Sequence, residues 1–106
     1  MNDKNLIYKI CKSSDWNLAC ENGVYNGSSD DVRDGFIHFS AWEQVKGTYD
    51  KYFSDQPELV IVTVDINKLP HENLKWEVSR NGEKFPHLYG DLNMDAVVKV
   101  EELPDP

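Results

Sequence analysis

Apolar residues in this chain recur with two periods, and the two predict different elements. Residues 59–66, Leu-Val-Ile-Val-Thr-Val-Asp-Ile, are almost continuously apolar and rich in β-branched side chains. Such a run predicts a strand buried on both faces and therefore central in its sheet. Leu6-Ile-Tyr-Lys-Ile-Cys11 predicts a first strand, and residues 96–100 a last one before an acidic, proline-bounded tail. Leu74, Trp76 and Val78 alternate with Lys75, Glu77 and Ser79, the period of a half-buried strand. Ser13, Ser14 and Asp15 offer N-caps to a helix carrying Trp16, Leu18, Ala19 and Cys20, which Asn22-Gly23 stops. A second helix, from residue 41 to about 53, sets Trp42, Val45, Tyr49, Tyr52 and Phe53 at core spacing. Between these helices, residues 23–34 are turn-rich and predict an exposed loop.

The pattern turns most informative at residues 34–44, Asp-Gly-Phe-Ile-His-Phe-Ser-Ala-Trp-Glu-Gln. Phe36, His38 and Ser40 alternate with Ile37 and Phe39, which predicts a strand. Ser40 followed by Glu43 has the form of a capping box opening the second helix. A strand that delivers a His and a Ser to a helix start favours an anionic or hydroxyl-rich ligand there.

Asn81-Gly82 is a strong signal for a two-residue hairpin. In that register Arg80 faces Glu83, Val78 faces Phe85, and Trp76 faces His87. Trp76 and His87 then share one face, Glu77 points to the other, and Pro86 lies opposite Glu77 on an edge strand. The expectation is about six short strands and two helices, with the helices in the first half. That order predicts an α+β fold with a small, largely antiparallel sheet, and residues 1–106 form a single domain.

Charge narrows the partners. Nineteen acidic against eleven basic side chains give −8, which opposes nucleic acid and anionic membrane surfaces. Nor does any apolar stretch approach the ~20 residues of a membrane helix. The start of the chain, Met-Asn-Asp-Lys-Asn, lacks the basic and apolar segments of a signal peptide. Cys11 and Cys20 are therefore expected as free thiols in the cytoplasm. The sequence sets no oligomeric state.

Of the three histidines, His71 lies in turn chemistry, whereas His38 and His87 each sit in an aromatic-rich run. Either one alone reads as a core histidine bonded to a carbonyl. Together with Ser40, Glu77, Arg80 and Glu83 they group as the lining of one site. A metal site ranks low, because no close ligand spacing such as H-x-x-x-H is present. A Cys–His nucleophile ranks lower, and Ser40 lacks the G-x-S-x-G elbow of a serine nucleophile. The fork of Arg80 suits a phosphate or a carboxylate.

Several segments carry a longer resemblance: Gly35-Phe-Ile-His-Phe-Ser40, Gly47-Thr48, Trp76-Glu77-x-Ser79-Arg80-x-Gly82-Glu83 and Phe85-Pro-His-Leu-Tyr-Gly90. With Ile7-Tyr8-Lys9-Ile10 and Gly23-Val24-Tyr25-x-Gly27-Ser28, they resemble a bacterial and plant family known as domain of unknown function nine-fifty-two. The resemblance implies a fold like that of ADP-ribosyltransferases, including the RNA 2′-phosphotransferase branch and the poly-ADP-ribose polymerases. It further implies a nucleotide or NAD/ADP-ribose-like ligand and, if there is turnover, glycosyl, ADP-ribosyl or phospho transfer. His38 would hold a ribose hydroxyl, as a His or Arg on an early strand does in those enzymes. Arg80 would contact phosphate or orient Glu83, Glu77 or Glu83 would stabilise a cationic sugar, and His87 would close the pocket. Phe36, Ser40, Trp76 and Tyr89 would complete the ligand-binding wall. The late region matches neither the catalytic Glu of many of those enzymes nor the Arg and His of the phosphotransferases. A non-catalytic binding module and a protein-interaction domain are accordingly the rival expectations, with no cofactor beyond an NAD-like ligand.

Overall fold

The computed structural model describes residues 5–106, apart from the side chain of Arg80. Strand β1 (Leu6–Lys12) leads straight into helix α1 (Ser13–Asn22), which Gly23 ends in a left-handed conformation. Next come β2 (Val24–Tyr25), α2 (Ser29–Asp34), β3 (Ile37–His38) and α3 (Trp42–Tyr52). The second half is strands joined by short 3₁₀ turns: β4 (Leu59–Asp65), β5 (Leu74–Val78), β6 (Lys84–Leu88), β7 (Leu92–Asn93) and β8 (Val97–Glu102). Every strand pairing is antiparallel. The fold is thus α+β, but its strands form three small sheets, β1-β4-β8, β2-β7 and β3-β6-β5, in place of one. The split follows from β2, β3 and β7, which pair over only two residues each.

Strand β4 is central, as its continuous apolar run predicts, and it feeds both cores. Val60, Val62 and Val64 enter the larger cluster with Ile7, Trp16, Tyr25, Ile37 and Leu88. Leu59 and Ile61 face the opposite side, with Tyr8 and Ile10. Helix α3 covers this smaller cluster through Val45, Tyr49 and Phe53, a stripe spaced four residues apart. The expected core face of that helix is narrower than its sequence suggests. Trp42 and Tyr52 stay exposed, the first with its ring tilted against Tyr8 at 5.2 Å between centroids.

Two expectations around the central stretch are corrected. The turn-rich segment at residues 23–34 is not a loop; it holds β2 and α2. Ser28 caps α2 reciprocally, its Oγ accepting the Asp31 N–H while the Asp31 carboxylate accepts the Ser28 N–H. Ser40 is not the cap of α3. That position belongs to Ala41, whose N–H donates to Gln44 Oε1 at 2.9 Å. Ser40 instead pairs with Tyr8 through two backbone bonds of 2.8 Å, tying β1 to the segment after β3.

The hairpin register is also corrected. Ser79 N–H donates to Glu83 O, so three residues, Arg80–Gly82, make the turn, with Asn81 and Gly82 at positive φ. The extra residue turns every side chain on one strand to the other face. Val78 therefore faces Lys84, Trp76 faces Pro86, and Lys75 faces His87. Trp76 and His87 lie on opposite faces, and Glu77 shares the face of His87. Pro86 sits in the middle strand of its sheet, where the β3 ladder ends and its O accepts the Phe39 N–H. Among the described residues no helix is long and apolar enough to cross a membrane.

Candidate functional site

A cleft of about 430 Å³ opens where β1, α2, β3, α3 and β6 meet. His38, Ser40 and His87 all line it, so three residues far apart in the sequence converge on one surface. Short β3 supplies His38, the Tyr8 bridge fixes Ser40, and the corrected register turns His87 inward. The Ser40 hydroxyl lies 3.2 Å from that of Thr48 on α3, which also lines the cleft.

His38 is held by carboxylates. Its Nδ1 lies 2.6 Å from Asp31 Oδ1 and its Nε2 lies 3.2 Å from Asp34 Oδ2. The Asp31 carboxylate is itself buried and reaches Lys9 Nζ at 2.8 Å through Oδ2. It also accepts the backbone N–H groups of Ser28 and His38. Burial alone would raise the Asp31 carboxyl. The hydrogen bond to His38, the charge and hydrogen bond of Lys9, and the Ser28 N–H outweigh it and hold the group far below the usual carboxylate range. Asp31 is thus an ionised hub whose negative charge orients His38.

His87 is built differently. Its Nδ1 lies 2.8 Å from Glu77 Oε1, the same oxygen that accepts the Tyr89 hydroxyl at 2.6 Å. Hydrogen bonds from Tyr89 and then His87 hold the Glu77 carboxyl below its usual range, and the Tyr89 phenol is raised in return. Phe36 stacks on the His87 ring with centroids 4.1 Å apart. With Nδ1 donating to Glu77, Nε2 is left as an acceptor. That nitrogen is buried and has no hydrogen-bond partner among the described residues. A buried polar atom without a partner costs about 1–3 kcal/mol. It is the position in the site to which a ligand hydroxyl or N–H would contribute most.

The remaining expected residues separate. Glu77 and Tyr89 stand behind His87, and Phe36 supports its ring. Glu83 lies 3.4 Å from Gln44, in a second hollow with Asn81 and Lys51. Trp76 is on the far face of β5. The Arg80 side chain lies outside the described residues, although its neighbour Ser79 lines the cleft. Asp31, Lys9 and Thr48 were not expected here. The sequence signals for the first two are slight: a Ser28-x-x-Asp31 spacing that suits a capping box, and one lysine inside an apolar strand.

Among the described residues no group of three His, Cys, Asp or Glu donors is placed to hold a metal ion. Cys11 and Cys20 are both free thiols. Burial pushes the Cys11 thiol up to about 11, which leaves it a poor nucleophile. The chemistry this cleft offers is proton acceptance by His87 and hydrogen bonding by Ser40 and Thr48.

Residues 10–100 match a family described as "Protein of unknown function (DUF952)". Among solved structures the chain is similar to the crystal structure of protein CC0527 from Caulobacter crescentus. The two are 44% identical with a TM-score of 0.89, over 93% of this chain and 86% of that one. A double mutant of the same Caulobacter crescentus protein gives 43% identity and a TM-score of 0.89, over 93% and 86% of the two chains. Its solution NMR structure gives 44% and 0.83, over 93% and 84%. No curated protein matches the chain.

Proposed function

The chain belongs to the family described as "Protein of unknown function (DUF952)", and from the geometry of its cleft we propose that it binds a small ribose-bearing ligand of the nucleotide or NAD/ADP-ribose class. The observation that carries this reading is His87, oriented by Glu77, with a buried Nε2 that no group among the described residues satisfies. A sugar hydroxyl donating to Nε2 would satisfy it. His38, on an early strand at the cleft wall, supports the further reading of an ADP-ribosyltransferase-like architecture. Localisation in the cytoplasm suits the two free thiols. The acidic balance of −8 favours a small molecule over nucleic acid or a membrane surface.

As an enzyme, the site would work through proton transfer. His87 Nε2 would accept the proton of a ligand hydroxyl, and Glu77, at Nδ1, would stabilise the resulting imidazolium. Stabilisation of a cationic sugar by Glu77 or Glu83 is not supported. Glu77 Oε1 is occupied by His87 and Tyr89, and Glu83 faces the other hollow. This same observation favours the second reading, a ligand-binding module without glycosyl transfer.

Thermal unfolding with NAD, ADP-ribose, AMP and adenosine tests the proposal. A true ligand at 100 times its Kd raises stability by about 2.7 kcal/mol, and no shift with any of the four defeats it. Release of nicotinamide from NAD would distinguish turnover from binding alone.

A further inference from the structure

Resting on the ligand reading above, we infer that the cleft seats the uncharged sugar end of such a molecule and rejects phosphate. Lys9 and Arg33 are the Lys and Arg side chains among its described lining residues, and both are already answered. Lys9 pairs with Asp31 at 2.8 Å, both of them buried. Arg33 spans Asp30 at 3.0 Å and Asp34 at 3.1 Å. A proton on His38 would be answered too, since its two ring nitrogens face Asp31 and Asp34. Without that proton, three carboxylates among the described lining residues stand against two cations, and an incoming phosphate meets a surplus of negative charge. At the start of helix α2 the capping box already occupies the N–H groups of Ser28 and Asp31.

What the cleft does offer suits a sugar. Sugar hydroxyls both donate and accept, and they meet the unpartnered acceptor His87 Nε2 and the adjacent hydroxyls of Ser40 and Thr48. Size points the same way. At about 430 Å³ the cleft lies near the lower end of the ~300–1,000 Å³ usual for ligand sites. That volume suits a nucleoside better than a dinucleotide, so the diphosphate of an NAD-like molecule stays outside the cleft. Asp30 and Asp34 are then specificity-determining residues, set on the rim around Arg33.

Isothermal titration of the full chain with adenosine against AMP, and nicotinamide riboside against its mononucleotide, tests this at low and high salt. Each nucleoside should bind about tenfold tighter than its phosphate. The gap should be widest at low salt, where repulsion is least screened. The Asp30→Asn, Asp34→Asn double variant releases Arg33 and should narrow the gap. Phosphates that bind tighter than nucleosides, or a gap the double variant leaves unchanged, overturn the inference while the ligand reading stands. If neither the four compounds nor NAD bind, the ligand reading itself fails and this inference falls with it.

Discussion

Asp31, 2% exposed, holds the ring of His38, 35% exposed, at 2.6 Å. A buried anion therefore fixes a cleft-facing imidazole, and the cation that compensates it, Lys9, comes from a different sheet. Asp31→Asn removes the charge that Lys9 faces. Breaking one partner of a buried pair costs about 3–5 kcal/mol. Lys9→Met should cost a similar amount. The double variant should cost less than the sum, since no lone charge is left behind. Urea unfolding of the four proteins measures this, and strict additivity would show that the two residues are not energetically coupled.

The same carboxylate predicts acid sensitivity. An unfolded Asp31 has an ordinary value near 3.8, and the folded one lies far below it. At pH values above the ordinary one, both states are ionised and the stabilisation is complete. Below it the unfolded chain binds a proton that native Asp31 does not, so stability falls as pH falls. The urea midpoint of the wild type should drop between about pH 5 and about pH 2 more steeply than that of Asp31→Asn. Parallel curves for the two proteins would count against an ionised Asp31.

For His87 the expected tautomer has the proton on Nδ1. Imidazole ¹⁵N shifts should show Nδ1 protonated and Nε2 bare in the wild type, and a mixture in Glu77→Ala. His87→Phe deletes the buried Nε2 but also the Nδ1 hydrogen bond to Glu77. In a Glu77→Ala background, where that bond is already gone, it should therefore leave stability unchanged or raise it while abolishing adenosine and NAD binding. A loss of about 1–3 kcal/mol on adding it to Glu77→Ala would instead mean that Nε2 has a structural partner.

Gly27 is where backbone and site meet. It sits at φ +105°, and an added Cβ would come within 2.6 Å of Asp31 Cβ. Gly23, at φ +81°, has open space around it. Gly23→Ala should cost only the left-handed penalty, about 1–2 kcal/mol. Gly27→Ala should cost more and should also weaken ligand binding through Asp31 and His38. Equal losses in chemical denaturation would show that Asp31 moves aside freely.

The strands that carry the core were legible because burial on two faces leaves a plain mark, as in residues 59–66. The grouping of His38, Ser40 and His87 was suggested by the aromatic-rich runs around the two histidines rather than by periodicity, and His87 reaches the cleft in a register other than the one Asn81-Gly82 predicted. Asp31 was not legible. Its burial depends on a six-residue helix and on a lysine from a distant strand, and neither has a periodicity to read. The placement of Trp76 failed for a related reason. Alternation along β5 shows that its two faces differ, but not which one another layer covers, and a one-residue change in the turn exchanged them. In α3 the aromatic content suggested a broad core face, whereas the sheet beneath accepts a single stripe.

Strand β4 lies between β1 and β8, so neither side of its backbone is left unpaired. Residues 59–64 combine β-branched side chains with no charge, proline or glycine, the make-up of segments that stack into amyloid. β1 precedes β4 along the chain and can pair with it early, but β8 comes last. Until β8 docks, one side of β4 is an open template for another chain. Once docked, β8 turns the charged side chains of Lys99, Glu101 and Glu102 to solvent, which discourages growth of the sheet beyond it. The final strand is therefore a gatekeeper against self-association, and loss of β8 should show as aggregation before any change at the cleft.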